Sequence, residues 1–295
     1  MSPQERAERL REAHEQLGDA IEHLTSSQGW RAMIESRAWL RRYSLSNLLM
    51  ILAQNPHATD VRPLREWNRH GRHVRKGEHG IRIWAPRFQR SPATAGPQPD
   101  RDGDRVDDHV RRLAGFILVS VFDIAQTDGD PLPDPAGPNR CALLSGDAPA
   151  GLWEALARQV AAAGFTIDRG ECGGANGITD FAARTVRVRA DVEPTQAAKT
   201  LAHELAHILC EHDKRADLRR ETGEIEAESV ACIVAAVCGL STLDYSVPYV
   251  AGWAADVTAV RQSAERVLSV ADRILAHIDD ELTQPELTEP RTAVV

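Results

Sequence analysis

Two histidines and a glutamate in "KTLAHELAHILCEH" (residues 199–212) have the types and spacing to hold a metal ion and to activate water beside it. His203 and His207 stand four positions apart, so on a 3.6-residue helix their side chains leave the same face one turn from each other. Two imidazoles so placed can share one tetrahedral Zn2+. Glu204, the next residue, sits where it can take a proton from water at the ion and return it to a leaving amine after attack on a peptide carbonyl. A catalytic zinc needs a third protein ligand, and Glu224, Glu226 and Glu228 follow in a second helical stretch. Glu224 and Glu228 are four apart and share a face, whereas Glu226 points roughly 160–200° away. Glu224 is assigned as the third ligand and Glu228 as an acceptor that orients a ligand histidine through its other ring nitrogen; the spacing also allows the reverse. Tyr245 and Tyr249 are candidate donors to the oxyanion. His212 and the remaining eight histidines have no comparable partners in the sequence.

These residues must be placed by the elements around them. Leu201, Leu205 and Leu209 lie off the histidine face and can seat that helix on a core, and Glu193-Pro194 opens it. "TIDRG" and "ARTVRVRA" read as short strands around the loop "ECGGANGITD", and "TVRVRA" is a candidate edge for an extended peptide. Helices are expected at "GLWEALARQVAAAGF", "EIEAESVACIVAAVCGL" and "VTAVRQSAERVLSVADRILAHIDDEL". In the other half, residues 4–54 read as helices ended by Asn55-Pro56. "HVRKGEHGIRIWAP" alternates around a KGEHG turn, and "LAGFILVSVFDIAQT" reads as a strand. "RSPATAGPQPDRDGDRVDD" is an expected disordered excursion between two paired strands. "QTDGDPLPDPAGPNR", with four prolines and two glycines, marks the division. The expected organisation is α+β: an N-terminal helix-plus-small-sheet domain over 1–133 with an insertion at about 91–109, a linker over 134–150, a zincin-like domain over 151–282, and a tail over 283–295.

A net charge of −8 argues against general nucleic-acid affinity, but it hides an asymmetry. Residues 31–90 hold thirteen Arg or Lys against four acids, a local +9 that leaves −17 for the rest of the chain. Twelve of the thirteen are arginine, which suits phosphate and base contacts better than lysine does. Arg41, Arg42, Arg75, Lys76, Arg82 and Arg87 are candidates to track phosphates, with Trp84 on its alternating strand as the favoured stacking face. No apolar run approaches the ~18 residues of a membrane span, and the charged start lacks the apolar core of a secretory signal, so a cytoplasmic location is expected. Five scattered cysteines without a CxxC pair fit reduced thiols.

Longer stretches carry a resemblance. "YSLSNLLMILAQNP", "W...GR.VRKGEHGIRIWAP" and "VSVFDIAQTDGDPLP" resemble the N-terminal single-stranded-DNA-binding domain of ArdC-type antirestriction proteins over about residues 5–133. "TLAHELAHILC" with "EIEAESVA" is similar to the zinc metallopeptidase domain that accompanies it and to ImmA/IrrE-type gluzincins, whose third ligand is the first Glu of the following helix, here Glu224. The resemblance implies binding of single-stranded DNA, coupled to a peptidase-like domain acting on a protein or peptide. The competing expectation is a non-enzymatic DNA-coating protein whose zinc site is structural or vestigial. A structural site closes the fourth position with protein, and no fourth ligand is evident in the sequence.

Overall fold

The computed structural model describes residues 3–37, 39–90, 111–130, 148–240 and 256–283. By contacts the chain divides into two compact units, residues 1–17 with 49–130, and residues 18–48 with 131–295. The insertion, Tyr245 and Tyr249, most of the linker and nearly all of the tail lie outside the described residues. The first half runs α1 (Pro3–His23), α2 (Ser27–Arg37), α3 (Leu45–Gln54), β1 (Val61–Arg62), α4 (Leu64–Arg69), β2 (Arg72–Val74), β3 (Ile81–Arg90), β4 (Arg111–Asp123) and β5 (Thr127–Gly129).

In the first unit β3 and β4 pair antiparallel, with β1 on the far side of β4. The period-2 pattern sorts the two faces: Ile81, Ile83 and Val121 are buried, while Arg82, Ser120 and Phe116 are exposed on the other side. The side-chain amide of Gln54 bonds both the N–H and the C=O of Arg82, each at 2.9 Å, so the outer edge of β3 is satisfied there. Trp67 is fully buried and donates Nε1–H to the Phe122 carbonyl at 2.8 Å. The KGEHG stretch does not close a hairpin, because β2 pairs with β5 and β3 with β4. Gln126 holds that loop instead, donating to His79 O at 2.9 Å and to Glu78 at 3.0 Å.

The second unit continues with α5 (Leu152–Ala162), β6 (Thr166–Gly170), β7 (Gly177–Asp180), β8 (Thr185–Arg189), α6 (Pro194–Leu209), α7 (Arg220–Val237) and α8 (Val257–Thr283). Its sheet has the order β6-β8-β7, with β6 parallel and β7 antiparallel to β8. Two expectations are corrected. "GITD", read as loop, is strand β7, too short and too polar to show a strand period. "TVRVR" is the central strand, paired on both sides and carrying buried Val186 and Val188, so the edges belong to β6 and β7.

Helix α6 starts with Pro194 at its first turn and buries Ala197, Ala198, Leu201, Ala202, Leu205 and Ala206 against its neighbours, chiefly α7 and α5. Helix α2 groups with this unit rather than with the strands that follow it. Its fully buried Trp30 donates Nε1–H to Ser229 Oγ of α7 at 2.9 Å, and buried Arg37 pairs with Asp272 of α8. An apolar stripe says that a helix is covered and not by what, so the 18–48 segment could not be allotted from its sequence. Among the described residues no helix is long and apolar enough to cross a membrane.

Candidate metal centre

The i,i+4 spacing places His203 and His207 side by side on α6, with their Nε2 atoms 3.0 Å apart. Helix α7 brings Glu224 to the same point: its Oε2 lies 3.4 Å from His203 Nε2 and 3.7 Å from His207 Nε2. Two donors held at about 2.0–2.1 Å from a tetrahedral ion stand about 3.3–3.4 Å apart, so this triangle has the dimensions of one face of such a site. Glu224 remains about half exposed, and the three residues open onto a cleft of about 910 Å³.

The outer ring nitrogens show which atoms carry protons. Glu228 Oε1 accepts from the buried Lys199 Nζ at 2.6 Å, and its Oε2 lies 3.0 Å from His203 Nδ1. An ionised carboxylate only accepts, so His203 donates through Nδ1–H. In its neutral form the ring then presents a bare Nε2 to the centre. His207 Nδ1 contacts His212 Nδ1 at 2.7 Å, and His212 Nε2 reaches Glu226 Oε2 at 3.0 Å. No local spacing in the sequence pairs His212 with Glu226, which lies fourteen residues on and in another helix.

Two lone-pair nitrogens and a carboxylate within 4 Å are stable only around positive charge. Burial lowers the affinity of His203 for a proton, but Glu224 and Glu228, with Glu204, outweigh it and push its pKa up to about 9. The proximity of His203 and then His207 holds Glu224 well below the usual carboxylate range. Positive charge is therefore favoured at the point where these three side chains converge.

Glu204 is 5% exposed and accepts from Thr179 Oγ1 of β7 at 2.6 Å, which turns its carboxylate towards the cleft wall. Gly177, also on β7, makes room for it: a Cβ there would lie 2.5 Å from Glu204 Oε1 and 2.6 Å from Thr200 Cγ2. The edge strand and the histidine helix thus meet at Glu204.

The residues considered for nucleic acid are divided. Arg75, Lys76, Arg82, Trp84 and Arg87 belong to the first unit, whereas Arg41 and Arg42 belong to the second. Lys76, Arg82 and Arg87 are exposed. Arg75 is exposed too, but it pairs with Glu78 at 2.8 Å. Arg41 pairs with Asp279 at 3.4 Å, and the Arg42 guanidinium lies 5.5 Å from the Tyr43 ring centre. Trp84 is half-buried, its ring 4.7 Å from that of His14. Phe116, not singled out for stacking, is 60% exposed on the same face of the β3–β4 pair as Trp84 and Arg82.

Residues 5–122 match the family described as the N-terminal domain of anti-restriction factor ArdC, and residues 162–238 match the IrrE N-terminal-like domain. An uncharacterized protein of Bacillus anthracis is 25% identical over 298 residues, covering 91% of this chain; the chain spans about half, 51%, of that relative's length. Among solved structures, the antirestriction protein ArdC of the R388 plasmid is similar in fold at 20% identity. Its metal-free structure superposes with a TM-score of 0.53, covering 88% of this chain and 98% of that one. Its Mn(II)-bound structure gives 0.50, covering 88% and 97%.

Proposed function

We propose, from the matches of residues 5–122 to the ArdC N-terminal domain and of residues 162–238 to the IrrE N-terminal-like domain, that the chain is an ArdC-type protein, a zinc-dependent peptidase of the gluzincin kind carrying a single-stranded-DNA-binding module. The observation that carries the enzymatic reading is the convergence of His203 Nε2, His207 Nε2 and Glu224 Oε2 within 3.7 Å of one another, beside Glu204 and open to a cleft. His203, His207 and Glu224 would hold the ion. When bound, a divalent ion of this type polarises a carbonyl and lowers the pKa of water.

The chain's own residues do the rest. Glu204 takes the proton of the attacking water and delivers it to the departing amine, with Thr179 fixing the carboxylate oxygen that faces β7. The edge of β7 offers backbone N–H and C=O groups to an extended peptide lying along the cleft, since its other side is occupied by β8. Glu228, anchored by Lys199, holds the His203 ring in place.

For DNA, exposed Lys76, Arg82 and Arg87 supply phosphate contacts, and exposed Phe116 supplies a face for a base. The Mn(II) bound by the R388 protein makes manganese the alternative ion to compare with zinc. One experiment tests the enzymatic reading. Metal content is measured by mass spectrometry for wild type and Glu204→Gln, and both are incubated with a defined peptide mixture, with and without single-stranded DNA. The expected result is one bound ion in each protein and cleavage by the wild type alone. Equal cleavage by both, or none by the metal-loaded wild type, refutes the peptidase and leaves the DNA-coating reading.

A further inference from the structure

Beneath the histidine pair lies a second cluster that the proposed reaction does not use. Cys210, His212 and Glu226 place potential ligand atoms within 4.8 Å of one another, the look of a second metal site. The surroundings argue against an ion. Glu226 is fully buried, and both its oxygens are engaged: Arg215 reaches both, at 2.5 and 3.1 Å, Ser263 Oγ donates to Oε1 at 2.6 Å, and His212 Nε2 lies 3.0 Å from Oε2. Its charge is already balanced by a guanidinium, and burial pushes the Cys210 thiol up to about 12, far from a thiolate ligand.

The same contacts give the cluster another role. With Glu226 as acceptor, the His212 proton sits on Nε2, and Nδ1 of the neutral ring is an acceptor 2.7 Å from His207 Nδ1. The proton between the two rings must then belong to His207. We infer that His212, held by Glu226, Arg215 and Ser263, is a positioning residue that locks His207 as its Nδ1–H tautomer and aims the bare Nε2 at Glu224 and His203. The effect on metal affinity rests on the reading of the centre proposed above, whereas the tautomer itself does not. Because Ser263 lies on α8, beyond the matched 162–238 region, the lock also extends the centre past the IrrE-like domain.

The test uses the full chain with 15N-labelled histidine. In metal-free wild type at neutral pH, long-range 15N–1H correlations should show His207 as a single Nδ1–H tautomer. A His207 protonated on Nε2 alone, or a mixture, overturns the inference without any variant being needed. His212→Leu should release the tautomer and weaken zinc retention by about 10–100-fold in chelator competition. His212→Gln, whose amide can accept from His207 and donate to Glu226, should restore both. A Leu variant that keeps the tautomer and the affinity overturns the lock. A locked wild-type tautomer in a protein that binds no zinc upholds the lock and sinks the metal reading.

Discussion

Gly177→Ala adds one methyl group to β7 and tests whether the edge strand and the histidine helix cooperate through Glu204. The new Cβ would stand 2.5 Å from Glu204 Oε1 and 2.6 Å from Thr200 Cγ2, about 0.8–1.5 Å inside ordinary van der Waals separation. Backbone strain plays no part, since Gly177 is not among the positive-φ glycines. The carboxylate must retreat by a comparable distance, and a misplacement of about 1 Å in a proton-transferring group costs on the order of 100-fold, or about 2.7 kcal/mol, in kcat/KM. Overpacking should also lower stability by about 1–3 kcal/mol. None of His203, His207 or Glu224 is touched, so metal content should match wild type. Adding Thr200→Ser removes the Cγ2 contact while keeping the hydroxyl that Gln196 bonds at 3.0 Å. The double variant should therefore recover stability and leave cleavage impaired. Peptide cleavage, thermal melting and metal analysis on the three proteins decide the matter. A Gly177→Ala protein that cleaves and melts like wild type would refute the placement of Glu204 against β7.

The metal-free protein should show a pH signature of His203. Its pKa is raised to about 9 in the fold, so its contribution to stability is complete below the ordinary ~6.5 and disappears as pH climbs through about 9. Melting of metal-free wild type should fall over that window, and His203→Gln should not show the fall; parallel curves would contradict the proposed electrostatics. On the DNA side, Phe116→Ala should weaken binding of a single-stranded oligonucleotide by about 1–3 kcal/mol in fluorescence anisotropy, and an unchanged affinity would exclude Phe116 as a stacking face. Three phosphate contacts from Lys76, Arg82 and Arg87 correspond to a slope of log affinity against log salt of about −2, and their joint removal should flatten the salt dependence by that amount.

What was legible in the sequence is what depends on local periodicity. Spacing by four puts His203 and His207 on one face of any helix, and the same geometry separates Glu224 and Glu228 from Glu226; the structure has these helices, with Glu226 fully buried on the inner side. The α+β class and the pairing of β3 with β4 across the intervening residues follow from period-2 runs strong enough to read. The tertiary structure decided whatever joins residues that share no local pattern. It made "GITD" an edge strand of the sheet, tied His212 to Glu226 and Glu226 to Ser263, set Gly177 against Glu204, and gave Trp30 a partner in Ser229, 199 residues away. A helix or strand period specifies which face of an element is covered, because that follows from backbone geometry alone. The group that meets that face is set by how all the elements pack, and a buried polar side chain finds its partner only there.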